Sequence, residues 1–157
     1  MISNMNGLVL DFLKVADLAG INLSRNAITI QTLSAPHKPP SSLPKGKMAV
    51  YVFFWKEKCL KVGKVGPKSQ ARYTSQHYSP SSSKSNLARS IISACKEHGL
   101  PRVSESKVGS WIKSNVDRVN LLIDSEYGIL MVTLLESFLQ CRLKPIFEGF
   151  EGQKMGG

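Results

Sequence analysis

Five side chains in this sequence have the right types to act together on an anionic oxygen: the phenol of Tyr51, the ammonium groups of Lys61 and Lys64, the guanidinium of Arg72 and the carboxylate of Glu136. The first four lie in one stretch, Met48 to His77. Lysines inside an apolar, glycine-bearing strand call for a reason. One is an edge strand guarded by charge against aggregation. The sharper one is an anion site, because lysines, a nearby arginine and exposed glycine amides together suit a phosphate. Glu136 is the second anomaly. Its neighbours at helical spacing are Ile129, Val132, Thr133, Leu139, Gln140 and Leu143, which set a carboxylate in a mainly apolar stripe. Ionised and unpaired in an interior it would cost several kcal/mol, so it must meet a cation such as Arg72, take a proton, or stand at the mouth of a cleft.

The elements that must position these groups follow from alternation and turn chemistry. Residues 48–55 put Ala49, Tyr51, Phe53 and Trp55 on one face and Met48, Val50, Val52 and Phe54 on the other, predicting a strand buried on both sides. After the turn Lys56-Glu57-Lys58, a second strand carries Cys59, Lys61 and Gly63 on one face and Leu60, Val62 and Lys64 on the other. A three-residue turn pairs Trp55 with Cys59 and Phe53 with Lys61, leaving Lys61 diagonal to Tyr51. A two-residue turn sets Tyr51 opposite Lys64. Gly66-Pro67 closes the strand, and Ser69 can cap a short helix presenting Arg72.

Around this hairpin, residues 6–19 have helical spacing, with Asn6 at the start and Gly20 at the end. Residues 27–33 alternate and are β-branched, predicting a strand. Ser34 to Gly46, with four of the eight prolines, form an extended connector, either a plain linker or a segment lying in a nucleic-acid groove. Ser79–Ser85 is expected to be a flexible loop. Helices follow from Ser85 or Asn86 to about His98 and over 105–115, where Gly109 weakens the pattern and Trp111 offers an anchor. Residues 118–123 predict a third sheet strand, and a last helix runs from Asp124 to about Arg142, stopped by Pro145.

A chain of 157 residues, 42% hydrophobic, suits one core. The net charge of +10 is unevenly spread. Residues 38–72 hold nine Lys or Arg against Glu57 alone, whereas 1–35 balance to zero. That concentration predicts a phosphate-backbone footprint on the hairpin and its approaches. A membrane partner is not expected, since no long apolar span or lipidation signal is present. Three widely spaced cysteines, Cys59, Cys95 and Cys141, predict buried thiols in a reducing cytoplasm. Grouping His77 and His98 with Cys59 or Cys95 around zinc lacks finger-like spacing.

Ala49-Val50-Tyr51 followed by Lys61-Val62-Gly63, with Arg72 on the next helix and Glu136 on a late one, resembles the GIY-YIG nuclease superfamily. The likeness spans about Met48 to Gly149. Lys61 stands where most members have a tyrosine, which is similar to a restriction-endonuclease branch that also has a second lysine at the position of Lys64. Glu148 stands where the family commonly has asparagine. The resemblance implies an α/β (α+β) fold: a small three-stranded antiparallel sheet flanked by helices, residues 46–150, preceded by a helix, strand and connector over 1–45 and followed by a flexible tail, 151–157.

It also implies a DNA endonuclease. Tyr51 is then the general base; the neighbouring charges of Lys61 and Lys64 would favour its phenolate, or one of them would orient the attacking water. Arg72 stabilises the transition state, and Glu136 is the single protein ligand of Mg²⁺ or Mn²⁺. Lys45, Lys47, Lys68, Gln76, His77 and Lys84 are the expected nucleic-acid contacts, with double-stranded DNA as partner. A homodimer through the first helix is an option, although packing of that helix onto its own core explains its pattern equally. The rival reading is a nucleic-acid-binding module without turnover, in which Glu136 is only an ion-pair partner.

Overall fold

The computed structural model describes residues 2–83 and 85–147. Its centre is an antiparallel sheet of four strands, β1 (Ile28–Leu33), β2 (Lys47–Trp55), β3 (Lys58–Val65) and β4 (Asp117–Asp124), in the order β1-β4-β2-β3. Five helices accompany it: α1 (Met5–Leu18), α2 (Gln70–Thr74), α3 (Leu87–Ala94), α4 (Val108–Asn115) and α5 (Ile129–Leu143). The mixed α+β class is as expected, but the expected three-stranded sheet is corrected to four. β1 pairs with β4 along its whole length, from Ile28↔Ile123 to Leu33↔Arg118. The physical reason lies in β4, whose backbone has an open edge on the side away from β2 and takes the β-branched N-terminal strand there.

β2 has a covered face on each side, as its two-sided apolar alternation requires. Met48, Val50, Val52 and Phe54 pack with α1 and α5, while Ala49, Tyr51 and Phe53 pack with residues from α2, α3 and α4. The stripe of α1 formed by Met5, Leu8, Val9, Phe12 and Ala16 is buried in the first of these cores.

The hairpin combines both expected registers. Trp55 pairs with Lys58 across a two-residue turn in which Lys56 has φ 54°, and Phe54 pairs with Cys59. A bulge between Phe53 and Phe54 then restores Phe53↔Lys61, Val52↔Val62, Tyr51↔Gly63 and Val50↔Lys64. The extra residue moves Cys59 to the α1/α5 side and leaves Leu60 in the other core, the reverse of simple alternation. Beyond α5, the backbone N–H groups of Ile146 and Phe147 donate to Cys59 O (3.1 Å) and Leu60 O (2.9 Å), covering the outer edge of β3 at the bulge.

Several boundaries differ from expectation. α3 stops at Ala94 rather than near His98, although Asn86 caps it by accepting from Arg89 N (2.8 Å). A 3-10 turn, Ser125–Tyr127, and Gly128 at φ 84° precede α5. The connector is tied down: Gln70 both accepts from Leu43 N (2.8 Å) and donates to Leu43 O (3.0 Å). Of the free cysteines only Cys59 is buried; Cys95 is intermediate and Cys141 exposed, so the expectation of three buried thiols fails. No helix among the described residues is long and apolar enough to cross a membrane.

Candidate active site

Tyr51 sits in the middle of β2, and its side chain is fully buried. Its ring lies across Gly63, the residue paired with it on β3; a Cβ built there would fall onto the phenol oxygen. Glycine is therefore what lets the phenol lie flat along the hairpin. Arg72, exposed on α2, donates from Nε to Tyr51 Oη at 3.2 Å. On the outer strand, Lys64 Nζ donates to Glu136 Oε1 at 3.1 Å, with the Glu136 side chain 15% exposed and that of Lys64 34%. The ion partner of Glu136 is thus Lys64, not Arg72. The Tyr51–Arg72 and Lys64–Glu136 pairs sit at adjacent positions of one hairpin, where Tyr51 pairs with Gly63 and Val50 with Lys64, and the Glu136 charge is the weakest of the influences on the Tyr51 phenol.

The expected activation of the phenol by Lys61 and Lys64 meets a different arrangement, in which Arg72 is the cation bonded to the hydroxyl and Lys64 is paired with Glu136. Burial pushes the Tyr51 pKa above its ordinary value, and the cations opposing this are Arg72 and then Arg118. Lys64 is on the opposite face of β3 from Gly63, turned to Glu136. Lys61 is only 4% exposed and lies near His77, whose pKa it helps to lower.

A second layer, absent from the sequence reading, is built on β4. Arg118 is fully buried and, among the described residues, forms no ion pair with a carboxylate. Its guanidinium donates to Tyr73 O (2.6 Å), Asn120 Oδ1 (2.8 Å) and Tyr78 Oη (3.3 Å). It also lies 5.1–5.6 Å from the ring centroids of Tyr73, Phe53 and Tyr51. Three neutral acceptors and three π-faces replace its hydration. The signal was in the sequence: Arg118 and Asn120 are two apart on a central strand, so they share one otherwise apolar face.

His77 is buried against the Tyr51 ring, with centroids 4.6 Å apart, and its Nδ1 accepts from Leu87 N at 3.2 Å. Desolvation, reinforced by Lys61, Arg118 and Arg72, holds its pKa well below 6.5, so the ring is neutral at pH 7. It is a packing group rather than the exposed phosphate contact expected from sequence. Of the other expected contacts, Lys45 and Lys68 are exposed, Gln76 is partly exposed, and Lys47 pairs with Asp124 at 2.6 Å. Lys84, Glu148 and the tail 151–157 lie outside the described residues.

Glu136 offers one hard oxygen donor, and no group of three or more His, Cys, Asp or Glu gathers elsewhere among the described residues. That donor fits an ion held mostly by its own waters and a substrate phosphate, as Mg²⁺ is, and not a zinc or calcium cage. No protein-family model, curated protein or solved structure matches the chain.

Proposed function

We propose that the chain is a metal-dependent endonuclease that hydrolyses DNA phosphodiester bonds at the Tyr51, Arg72, Lys64 and Glu136 cluster, with a GIY-YIG-like hairpin as its scaffold. The observation that carries this reading is the convergence of these groups. Arg72 is hydrogen-bonded to the Tyr51 hydroxyl and Glu136 is ion-paired to Lys64, the residue next to Gly63, which pairs with Tyr51 across the hairpin. Binding alone needs cations; it does not need a phenol under an arginine beside a semi-buried acid.

In the proposed reaction Arg72, exposed on α2, exchanges its bond to Tyr51 for phosphate oxygens, which its paired donors match. It then stabilises the charge that builds on phosphorus-bound oxygen as water attacks. Lys64 supplies a second cation to the same phosphate. Tyr51 takes the proton of the attacking water. Because burial holds its pKa up, the reactive phenolate is scarce near neutrality but strongly basic, and the rate rises with pH. Glu136 would hold Mg²⁺ or Mn²⁺, which when bound supplies Lewis-acid neutralisation of the phosphate and leaving oxygen.

Incubation of the protein with plasmid DNA and Mg²⁺, beside Tyr51→Phe and Glu136→Ala, tests this. Wild-type protein is expected to nick or linearise the plasmid, and both variants to lose at least about a hundredfold in rate while still retarding DNA in a gel. Retardation without cleavage by wild-type protein would instead leave a nucleic-acid-binding module. The Lys64–Glu136 ion pair favours that rival, since it gives the acid a structural partner.

A further inference from the structure

At the far end of the hairpin from Lys64, the strand end that leads into the turn packs beside α4. Trp55, at the end of β2, meets Trp111 of α4 with ring centroids 6.0 Å apart and planes tilted by 50°. Both rings are only partly buried. Lys56 Nζ stands 4.5 Å from the Trp55 centroid and Lys58 Nζ 6.0 Å from it, the latter also donating to His98 O at 3.2 Å. Beside the pair is an open groove of about 610 Å³, lined in part by Arg102, Ser104, Lys107, Trp111, Ser114 and Asn115. The groove is within the usual range for small-ligand sites. Its lining has two cations, an aromatic wall and several neutral hydrogen-bonding side chains, and no carboxylate; the nearby Glu105 is not part of it.

We infer that this groove is a nucleotide-binding subsite in which an unpaired base of a DNA strand stacks on Trp111 while Arg102 and Lys107 take the flanking phosphates. An aromatic wall between cations favours single-stranded nucleic acid, because a base offers a π-face only when its own stack is broken. The polar residues of the groove can meet the base edges. The inference rests on the nuclease reading for one point, the role of the subsite in cleavage. Tyr51, Phe53 and Trp55 share a face of β2, so Trp55, which meets Trp111 of the groove, stands about 13 Å along the strand from the backbone of Tyr51. The favoured substrate is then DNA with an unpaired stretch a few nucleotides from the cut.

Trp55 and Trp111 are the only two tryptophans in the sequence, so tryptophan emission reports on this pair alone. Full-length protein in EDTA, titrated with short oligo(dT), is expected to show saturable quenching. Inorganic polyphosphate of matched charge is expected to leave the emission unchanged. Trp111→Leu, read through Trp55, is expected to weaken oligo(dT) binding about tenfold, and Trp111→Phe to keep most of it. Should Trp111→Leu fail to fold, the exposed double variant Arg102→Ser/Lys107→Ser is expected to weaken binding and lower the salt slope by about 1 to 2. Absence of quenching, equal quenching by polyphosphate, or wild-type affinity in a folded Trp111→Leu or in the double variant would each overturn the subsite. Quenching without plasmid cleavage would count against the nuclease reading alone, whereas cleavage without quenching would count against the subsite alone.

Discussion

Gly63 shows how a site can depend on an atom that is missing. The Tyr51 ring occupies the space a Cβ would take, so Gly63→Ala must displace the phenol or open the hairpin. Overpacking of this kind costs about 1–3 kcal/mol. The expected outcome is a lower urea midpoint together with loss of cleavage, checked by denaturation followed by circular dichroism and by the plasmid assay; an unchanged midpoint with full activity would contradict the described contact. At this scale the sequence was partly legible. Glu136 could be named as a carboxylate in an apolar stripe, and Tyr51 and Arg72 from the spacing that resembles the GIY-YIG pattern. The partner of Glu136 could not, because which face Lys64 occupies depends on a register set by a bulge, and bulges leave little trace in alternation. Arg118 was overlooked although its two-residue offset from Asn120 was available. A lone arginine at a strand start is ordinarily solvated, and only the folded chain reveals that Tyr73, Tyr78 and Asn120 enclose it.

Among the elements, α4 illustrates a rule that fails for a reason. Gly109 lowers the helix propensity of that segment, yet the helix forms. Its glycine faces the carbonyl of Tyr78, and a Cβ there would stand 2.5 Å from that oxygen. Close packing of α4 on the turn that carries His77 and Tyr78 therefore outweighs the roughly 1 kcal/mol that alanine would return to the helix. Gly109→Ala is expected to destabilise by about 1–3 kcal/mol net and to loosen the Trp111 side of the groove. Thermal melting checks the first effect, and a change in tryptophan emission the second; a stabilised variant would contradict the contact. Strand and helix types were readable from periodicity, whereas ends such as that of α3 were not, because tertiary contacts decide how far a short helix runs.

Over the whole molecule, the titration of buried groups sets a pH window. His77 and His37 both have pKa values lowered on folding, chiefly by desolvation. The unfolded chain therefore takes up protons below about 6.5 that the folded chain refuses. Stability from these groups is present above pH 6.5 and is lost as pH falls, by up to about 1.4 kcal/mol per pH unit for each fully depressed site. Urea titrations at pH 7.5 and 5.5 are expected to show this decline. His77→Leu is expected to flatten it, at a loss of about 1 kcal/mol at pH 7.5 because Leu87 N–H loses its acceptor. An equal decline in the variant would remove His77 from the account. The class of fold was legible from the alternation of strand and helix patterns, but the membership of β1 was not. Pairing across 89 residues, such as Asn120 with Gln31, leaves no local mark.

The place of β1 bears on how the chain can be divided. The first forty-odd residues hold the outermost rung of the ladder and the lid over half of the apolar interior. A fragment cut before β2 would bare the hydrogen-bonding row of β4 and the greasy underside that α1 now shields, inviting strand-to-strand aggregation. The hairpin with its flanking helices and the first forty-odd residues are thus one indivisible piece of masonry, and trimming one to study the other would dismantle both.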